Sequence, residues 1–421
     1  MRQNRFIFTK VVILFFVGLF GLVGDAFANP VMTGDISSYL GNMLFGIAND
    51  NRWVNPTIAN QAEVQDIVSH ILIGEYDEAH EKASALEGEV ISFTDGAREY
   101  TILHLGLERR ANDKYYSTGG VYVFNSAGKN SAIHIAHPIA DINTNLEGVE
   151  AFLALDSKYL LISGTHRNSS DALSVCQSSF YESDPSHNNS HYFFNVQQTL
   201  FEANENIIFI DFHGFGSSSR TNIWNQCDVE HNNSIVNLSE GSDELDVESF
   251  MYLLHQEITN NTTIKSCIYS PTLNNDVNDV YTSILGGTTN VGGRFLNNSA
   301  DVCNTPATAP SHKFIHVEQS YEVRVSRRSE IIESLGNALD NYFMNNLVFR
   351  ADVDQNATIN STDAMLTLRN SLGLDMSGTN WVVSATTGDV NCNGSSNSTD
   401  AMLLLRYSLG LSMGGTGWCV D

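Results

Sequence analysis

Apolar positions change their rhythm several times along the chain, and each change predicts a different kind of structure. A continuous apolar run, Val11–Gly24, comes first. Between residues 29 and 95, the apolar residues of Ala62–Ile73 and Tyr76–Leu86 recur at helical spacing, with Gly74 between the two stretches. This helical lead-in carries no evident chemistry. From about Glu89 the pattern shortens. EVISF, EYTILHLGL and GGVYVFN alternate or run apolar as strands do, and SAIHIAH, YLLISGT, NIIFIDFHGFG and FIHVEQ follow as buried-strand runs. Helical patterns lie among them at Leu146–Leu155, Val196–Ala203 and Asp246–Thr259, and Ser329–Met344 closes the region as an amphipathic helix. Strands alternating with helices predict an α/β domain over residues 96–346, with a mixed, largely parallel central sheet flanked by helices. Past residue 350 the rhythm turns to two short helices, each preceded by an Asn/Asp-rich loop. That predicts a small all-α domain over 350–421.

Composition narrows the setting. The chain has 421 residues, enough for two or three domains, and a formal net charge of −26. Such a balance excludes the basic face that nucleic-acid binding needs. Residues 1–28 read as a signal peptide: a basic start, MRQNRFIFTK, a short apolar core and a small-x-small site at Ala26-Phe27-Ala28. A membrane anchor is the competing reading, but the run is short of the roughly 20 residues a bilayer crossing takes. The expected location is therefore secreted, extracellular or periplasmic, with no membrane span after cleavage. Six cysteines in an exported chain predict disulfides. Cys392 and Cys419 stand alone in the tail and pair with each other. Cys176, Cys227, Cys267 and Cys303 leave three pairings open. With no CxxC, a zinc–thiolate site is not expected.

Candidate chemistry gathers at strand ends. In IHIAHPIADINTNLE the strand delivers His137 to its carboxyl end, and Pro138, lacking an N–H, stops it. Asp141 and Thr144 follow as the chain turns toward a helix. His213 ends a second buried strand, and His166 and Glu318 lie at or near the ends of two more. In open α/β sheets, ligands collect there. Two imidazoles and a carboxylate leave one position open on a zinc ion, so His137, Asp141 and His213 are the candidate zinc ligands. Glu147 competes with Asp141, which could instead serve as a helix N-cap. Zinc activates water and polarises a carbonyl. Glu318 is the candidate base, and Arg167 or Arg324 the candidate grip on a substrate carboxylate. An ion pair of Glu318 with Arg324 is the structural alternative. Asp211 reads as a supporting residue, and Asp184 and His187 of SDPSH, with His166, as possible cleft lining. GGTTNVGG, Gly286–Gly293, lacks the lysine of a phosphate loop and reads as a flexible lid or surface loop.

These segments resemble those of a known family. FIDFHGFG is similar to the strand that carries the third zinc ligand in zinc carboxypeptidases. The His137 turn resembles their first-ligand turn, and more closely that of the related phage poly-γ-glutamate hydrolases, in which the carboxylate is spaced further on and a threonine follows. FIHVEQ is similar to the strand of the catalytic glutamate, which maps to Glu318. The resemblance covers about residues 97–345 and implies a zinc-carboxypeptidase-like fold and an amide-bond hydrolase. The family's Asn-Arg pair is absent, and Arg167 in GTHR is its substitute here.

The tail spaces oxygen donors as calcium loops do. The first loop offers Asp352, Asp354, Asn356, Thr358, Asn360 and Asp363, and the second Asp389, Asn391, Asn393, Ser395, Asn397 and Asp400. The loops run into DAMLTLRNSLGL and DAMLLLRYSLGL, and each unit closes on GTxW. Ala357 stands where the first loop would carry glycine. This duplication resembles a type I dockerin domain, which implies up to two structural Ca2+ ions and a cohesin-like module or cell-surface scaffold as partner. Ser361-Thr362 and Ser398-Thr399 stand where dockerins carry partner-recognition residues. The combined expectation is a secreted zinc-dependent amide-bond hydrolase, of peptidase or γ-glutamyl hydrolase type, acting on a peptide or amide substrate and tethered by its tail. The alternatives are a non-catalytic calcium-dependent adhesion or binding protein, and a zinc-dependent deacylase or esterase.

Overall fold

The computed structural model describes residues 28–227, 234–247, 249–272, 280–354, 358–379, 381, 388–393 and 395–420. The signal-peptide expectation, all but Ala28, lies outside them. The lead-in forms β1 (Val31–Thr33), α1 (Ile36–Gly41), β2 (Met43–Leu44) and the helical pair α2 (Ile58–Leu72) and α3 (Tyr76–Ser84). Thr57 caps α2 by accepting from the Asn60 amide. The helix buries Val64, Ile67, Val68 and Ile71, an i, i+3, i+4, i+7 stripe. Gly74, at φ +82°, takes the left-handed turn into α3 that a side chain would resist.

Then come β3 (Glu89–Asp95), β4 (Arg98–Arg109), β5 (Tyr115–Phe124), β6 (Lys129–Ile135), α4 (Thr144–Ala154) and β7 (Ser157–Ile162). The domain continues with α5 (Tyr192–Ala203), β8 (Ile208–Gly214), α6 (Ser217–Cys227), β9 (Ile235–Ser239), α7 (Phe250–Asn261), β10 (Lys265–Tyr269) and β11 (Tyr281–Thr282). It closes with α8 (Val291–Leu296), β12 (Phe314–Gln319), α9 (Tyr321–Ser326) and α10 (Arg328–Ala351). The tail holds α11 (Ser361–Ser371) and α12 (Ser398–Ser408).

The strands form one sheet in the order β1-β3-β4-β5-β7-β6-β8-β12-β9-β10-β11, with β2 beside β5. Its centre, β7-β6-β8-β12, is parallel. The pairs β1-β3, β2-β5, β9-β10 and β10-β11 are parallel too, so the sheet is mixed and largely parallel, as expected. On one side the pairs β3-β4, β4-β5 and β5-β7 are antiparallel, the first two as hairpins closed by short turns. On the other, β12 meets β9 antiparallel. Nor does the lead-in stand apart as a helical unit, since β1 and β3 extend the sheet.

Helices cover both faces. Ile133, Ile135, Ile210, Phe212, Ile315 and Val317 face a core shared with α4, α7 and α10, and Ala132, Phe209 and Phe314 face one shared with α2, α3 and α5. Strands buried on both sides read as continuous apolar runs, hence YLLI and IIFI. The three disulfides join Cys176 to Cys303, Cys227 to Cys267 and Cys392 to Cys419, the last as expected. From β6 the chain crosses to β7 on one flank and later returns to β8 on the other. In open α/β sheets such a reversal marks the ligand crevice, here at the carboxyl ends of β6 and β8.

Candidate metal centres

Three side chains converge in that crevice. After His137, Pro138 ends the ladder and the chain turns tightly: the Asp141 amide donates to the His137 carbonyl at 3.1 Å, and Thr144 Oγ1 donates to the Asp141 carbonyl at 2.8 Å. The turn swings the Asp141 carboxylate back toward β8, where Oδ2 accepts from the Gly214 amide at 3.1 Å. The absent side chain of Gly214 leaves room for the Arg324 guanidinium, which a Cβ there would displace. The result is a nearly equilateral triangle. His137 Nδ1 lies 3.1 Å from His213 Nδ1, and Asp141 Oδ2 lies 3.1 Å from His213 Nδ1 and 3.4 Å from His137 Nδ1. All three residues are buried.

The far side of each imidazole meets another carboxylate. Asp184 Oδ1 accepts from His137 Nε2 at 2.9 Å. Asp211 Oδ2 lies 3.1 Å from His213 Nε2, close enough to be an ion pair although off the hydrogen-bond line. With protons drawn to Nε2, both Nδ1 atoms present lone pairs, and three electron-rich atoms face one another. Burial alone would depress both imidazoles. Asp184 and Asp141 nevertheless raise His137, and Asp211 and Asp141 raise His213 well above its ordinary value. Against its own burial, Asp141 is held well below the carboxylate range by the two imidazoles. The site therefore demands positive charge. Two Nδ1–H groups 3.1 Å apart would repel each other, whereas one small divalent cation satisfies all three atoms. Tetrahedral zinc with bonds of about 2.0–2.1 Å spaces its ligand atoms about 3.3 Å apart, so the residues present fit that ion.

Glu147 is not part of the triangle. Its Oε2 accepts from Gln319 Nε2 at 2.8 Å beneath the crevice, and burial pushes it up to about 8. Of the two candidate carboxylates, Asp141 is the one beside the imidazoles. Glu318, on β12, is paired in register with His213 of β8, and burial pushes it up to about 7. His213, His316 and Glu318 also bring ligand-type atoms within 4.8 Å of one another. The sequence reading passed over His316, although its spacing two residues before Glu318 puts it on the same strand face. Arg167 Nη1 sits 3.4 Å from His137 Nδ1, beside the triangle. Arg324 is buried against Gly214, with Nε and Nη1 making no hydrogen bond, and it forms no ion pair with Glu318. His166 accepts from the Asn168 amide, and His187 stacks on Phe180 and pairs with Gln177. Neither histidine joins the triangle.

A second centre lies in the tail. Asp352, Asp354 and Asp363 bring carboxylate oxygens within 4.8 Å of one another. Asp363 accepts from the amides of Val353 (2.9 Å) and Asn360 (2.7 Å), and Asp400 repeats this with Val390 (3.1 Å) and Asn397 (2.9 Å). Asn360 and Asn397 cap α11 and α12 in matching capping boxes. Asp389 accepts from the Asn393 amide at 3.1 Å, and Asn393 Oδ1 accepts from the Ser395 amide. Thr358 and Asn391 lie on the described parts of their loops, whereas Asn356, Ala357 and Gly394 fall outside the described residues. Residues 350–409 match the dockerin type I domain family.

This segment is a type I dockerin domain. Dockerin domains bind calcium and cohesin modules, and such a domain is consistent with an extracellular protein. The disulfides accord with that location, and among the described residues no helix is long and apolar enough to cross a membrane. Ser361, Thr362, Ser398 and Thr399 are all exposed at the starts of the dockerin helices. No curated protein and no solved structure matches the chain.

Proposed function

We propose that this is a secreted zinc-dependent hydrolase of amide bonds, of peptidase or γ-glutamyl type, tethered by its dockerin domain to a cohesin-bearing scaffold. One observation carries the reading: Nδ1 of His137, Nδ1 of His213 and Oδ2 of Asp141 form a buried triangle of lone pairs, with a carboxylate behind each imidazole. These three residues would hold the ion. Bound there, zinc would lower the pKa of a water to about 7 and polarise a carbonyl.

The chain's own residues supply the rest. Glu318, lifted toward neutrality by burial, takes up a proton and returns it to the departing amine. Arg167 lies beside the triangle, and its guanidinium would hold a substrate oxygen or carboxylate. Arg324 keeps positive charge under the β8 turn, close to Asp141, Glu147 and Glu318. Burial of His137, Asp141, His213 and Glu318 lowers the local dielectric and strengthens these contacts.

The test is metal analysis of the purified, calcium-loaded protein and of His213→Ala, followed by a panel of peptide, γ-glutamyl and ester substrates. About one zinc per chain, lost in the variant, with amide cleavage by the parent, is the expected result. Absence of zinc from both proteins would sink the reading.

A further inference from the structure

The glycine-rich segment Gly286–Gly293 is not the flexible lid or surface loop its composition predicts. It is pressed into the protein beside the crevice, and its glycines make that possible. A Cβ on Gly287 would lie 2.9 Å from the His316 ring, and one on Gly293 would lie 2.5 Å from Phe314. One on Gly286 would meet Tyr269 at 2.5 Å, and one on Gly292 would collide with the Gln197 amide. Gln177 Nε2 donates to the Thr289 carbonyl at 2.8 Å, and Arg294 Nε to the Thr288 carbonyl at 2.8 Å.

Two adjacent residues of this segment reach the carboxylates behind the two imidazoles. Asn290 is buried. Its Nδ2 donates to Asp211 Oδ2 at 3.0 Å, and that same oxygen lies 3.1 Å from His213 Nε2. The Val291 amide donates to the Ser186 carbonyl at 2.9 Å. The Ser186 amide in turn donates to Asp184 Oδ1 at 3.1 Å, and that oxygen accepts from His137 Nε2.

We propose that Asn290-Val291 is the common support of both histidines, with Asn290 a positioning residue that holds Asp211 so that His213 presents Nδ1 to the ion. The inference rests on the zinc reading above. A carboxylate free to rotate about its own χ angles would fix neither the proton nor the ring plane of its histidine. A donor from a packed segment removes that freedom. Asn290 Oδ1 also accepts from the Gly293 amide, capping α8, so an alanine there would confound two roles.

The informative variant is therefore Asn290→Ser. It keeps a capping oxygen and loses the reach to Asp211. Asp211→Asn is its companion, changing the charge behind His213 without changing shape. The probe is zinc alone, titrated against a chelator of known affinity into the full calcium-loaded chain, with circular dichroism and thermal unfolding of the metal-free proteins run alongside. Both variants should bind zinc about 10–100-fold more weakly than the parent while unfolding at nearly the same temperature. Folded variants that bind within twofold of the parent would overturn the positioning role and leave the zinc reading intact. A parent that binds no zinc would overturn both. If Asn290→Ser misfolds, Asp211→Asn alone decides, because it leaves the α8 cap in place.

Discussion

The roles of individual residues separate cleanly under substitution. On the proposed function, in which Glu318 is the base and His137, Asp141 and His213 hold zinc, Glu318→Gln should lower kcat by about 10²–10⁴ while zinc content stays near one per chain. A comparable loss of zinc would instead make Glu318 a ligand. Glu147 gives a pH signature of its own. Burial holds its carboxyl protonated up to about 8 in the folded chain, whereas in the unfolded chain it ionises near its ordinary value of 4.5. The folded state thus keeps a proton that the unfolded state has released. Stability contributed by the neutral group is fully present below pH 4.5 and is lost as pH climbs toward 8. Glu147→Gln keeps the acceptor for Gln319 and removes the titration. It should match the parent near pH 4 and exceed it near pH 8 by on the order of 2 kcal/mol or more in denaturant unfolding. Parallel stability–pH curves for the two proteins would show that Glu147 is ionised in place.

At the scale of elements, the segment between β7 and α5 has little regular structure, yet it carries Arg167, Asp184 and Ser186 to the crevice. It is held there by Ser183, which accepts from the Ser170 amide and donates to the Arg167 carbonyl, and by the Cys176–Cys303 disulfide. Replacing both cysteines with serine should cost about 2–5 kcal/mol and open residues 170–182 to limited proteolysis, with the cuts read by mass spectrometry. Unchanged resistance would mean that hydrogen bonds alone fix the segment. Such dependence on partners explains what the sequence could and could not tell. FIHVEQ was legible to the residue as β12, because a strand buried on both faces must be apolar except at its functional end. Helices α4 and α7 were legible to within a few residues by their periodicity. The antiparallel flanks of the sheet were not, because strand runs alone carry no direction. Asp141 could not be chosen over Glu147 either, since both lie past Pro138 and only the turn closed by Thr144 aims one carboxylate at His213. Gly286–Gly293 was misread because glycine marks both loose loops and tight contacts. The Asn290 cap before α8 was the signal that could have distinguished them.

The whole molecule joins two clusters of ligand-type side chains with different chemistry. The crevice offers nitrogen atoms and one carboxylate, which suit zinc, and the dockerin loops offer only oxygen, which suits calcium. The dockerin core, formed by Ala351, Ala364, Val390, Leu403, Leu404 and Val420, is separate from the two cores of the α/β domain. Asp363 and Asp400 each close a loop onto the helix that follows, and burial raises both carboxyls above the usual range in the absence of an ion. That cost is what bound calcium would offset. The two modules should therefore fail independently. A chain carrying both Asp363→Ala and Asp400→Ala should lose calcium-dependent capture by an immobilised cohesin module, and EDTA should no longer shift the unfolding of its tail. Its zinc content and its kcat on a soluble amide substrate should match the parent within about twofold, because among the described residues no dockerin side chain belongs to the His137, Asp141 and His213 cluster. The converse variant, His213→Ala, should keep full cohesin capture and lose hydrolysis. Loss of hydrolysis in the dockerin variant would instead mean that the tail completes the catalytic domain, and that cohesin binding and catalysis are coupled through α10.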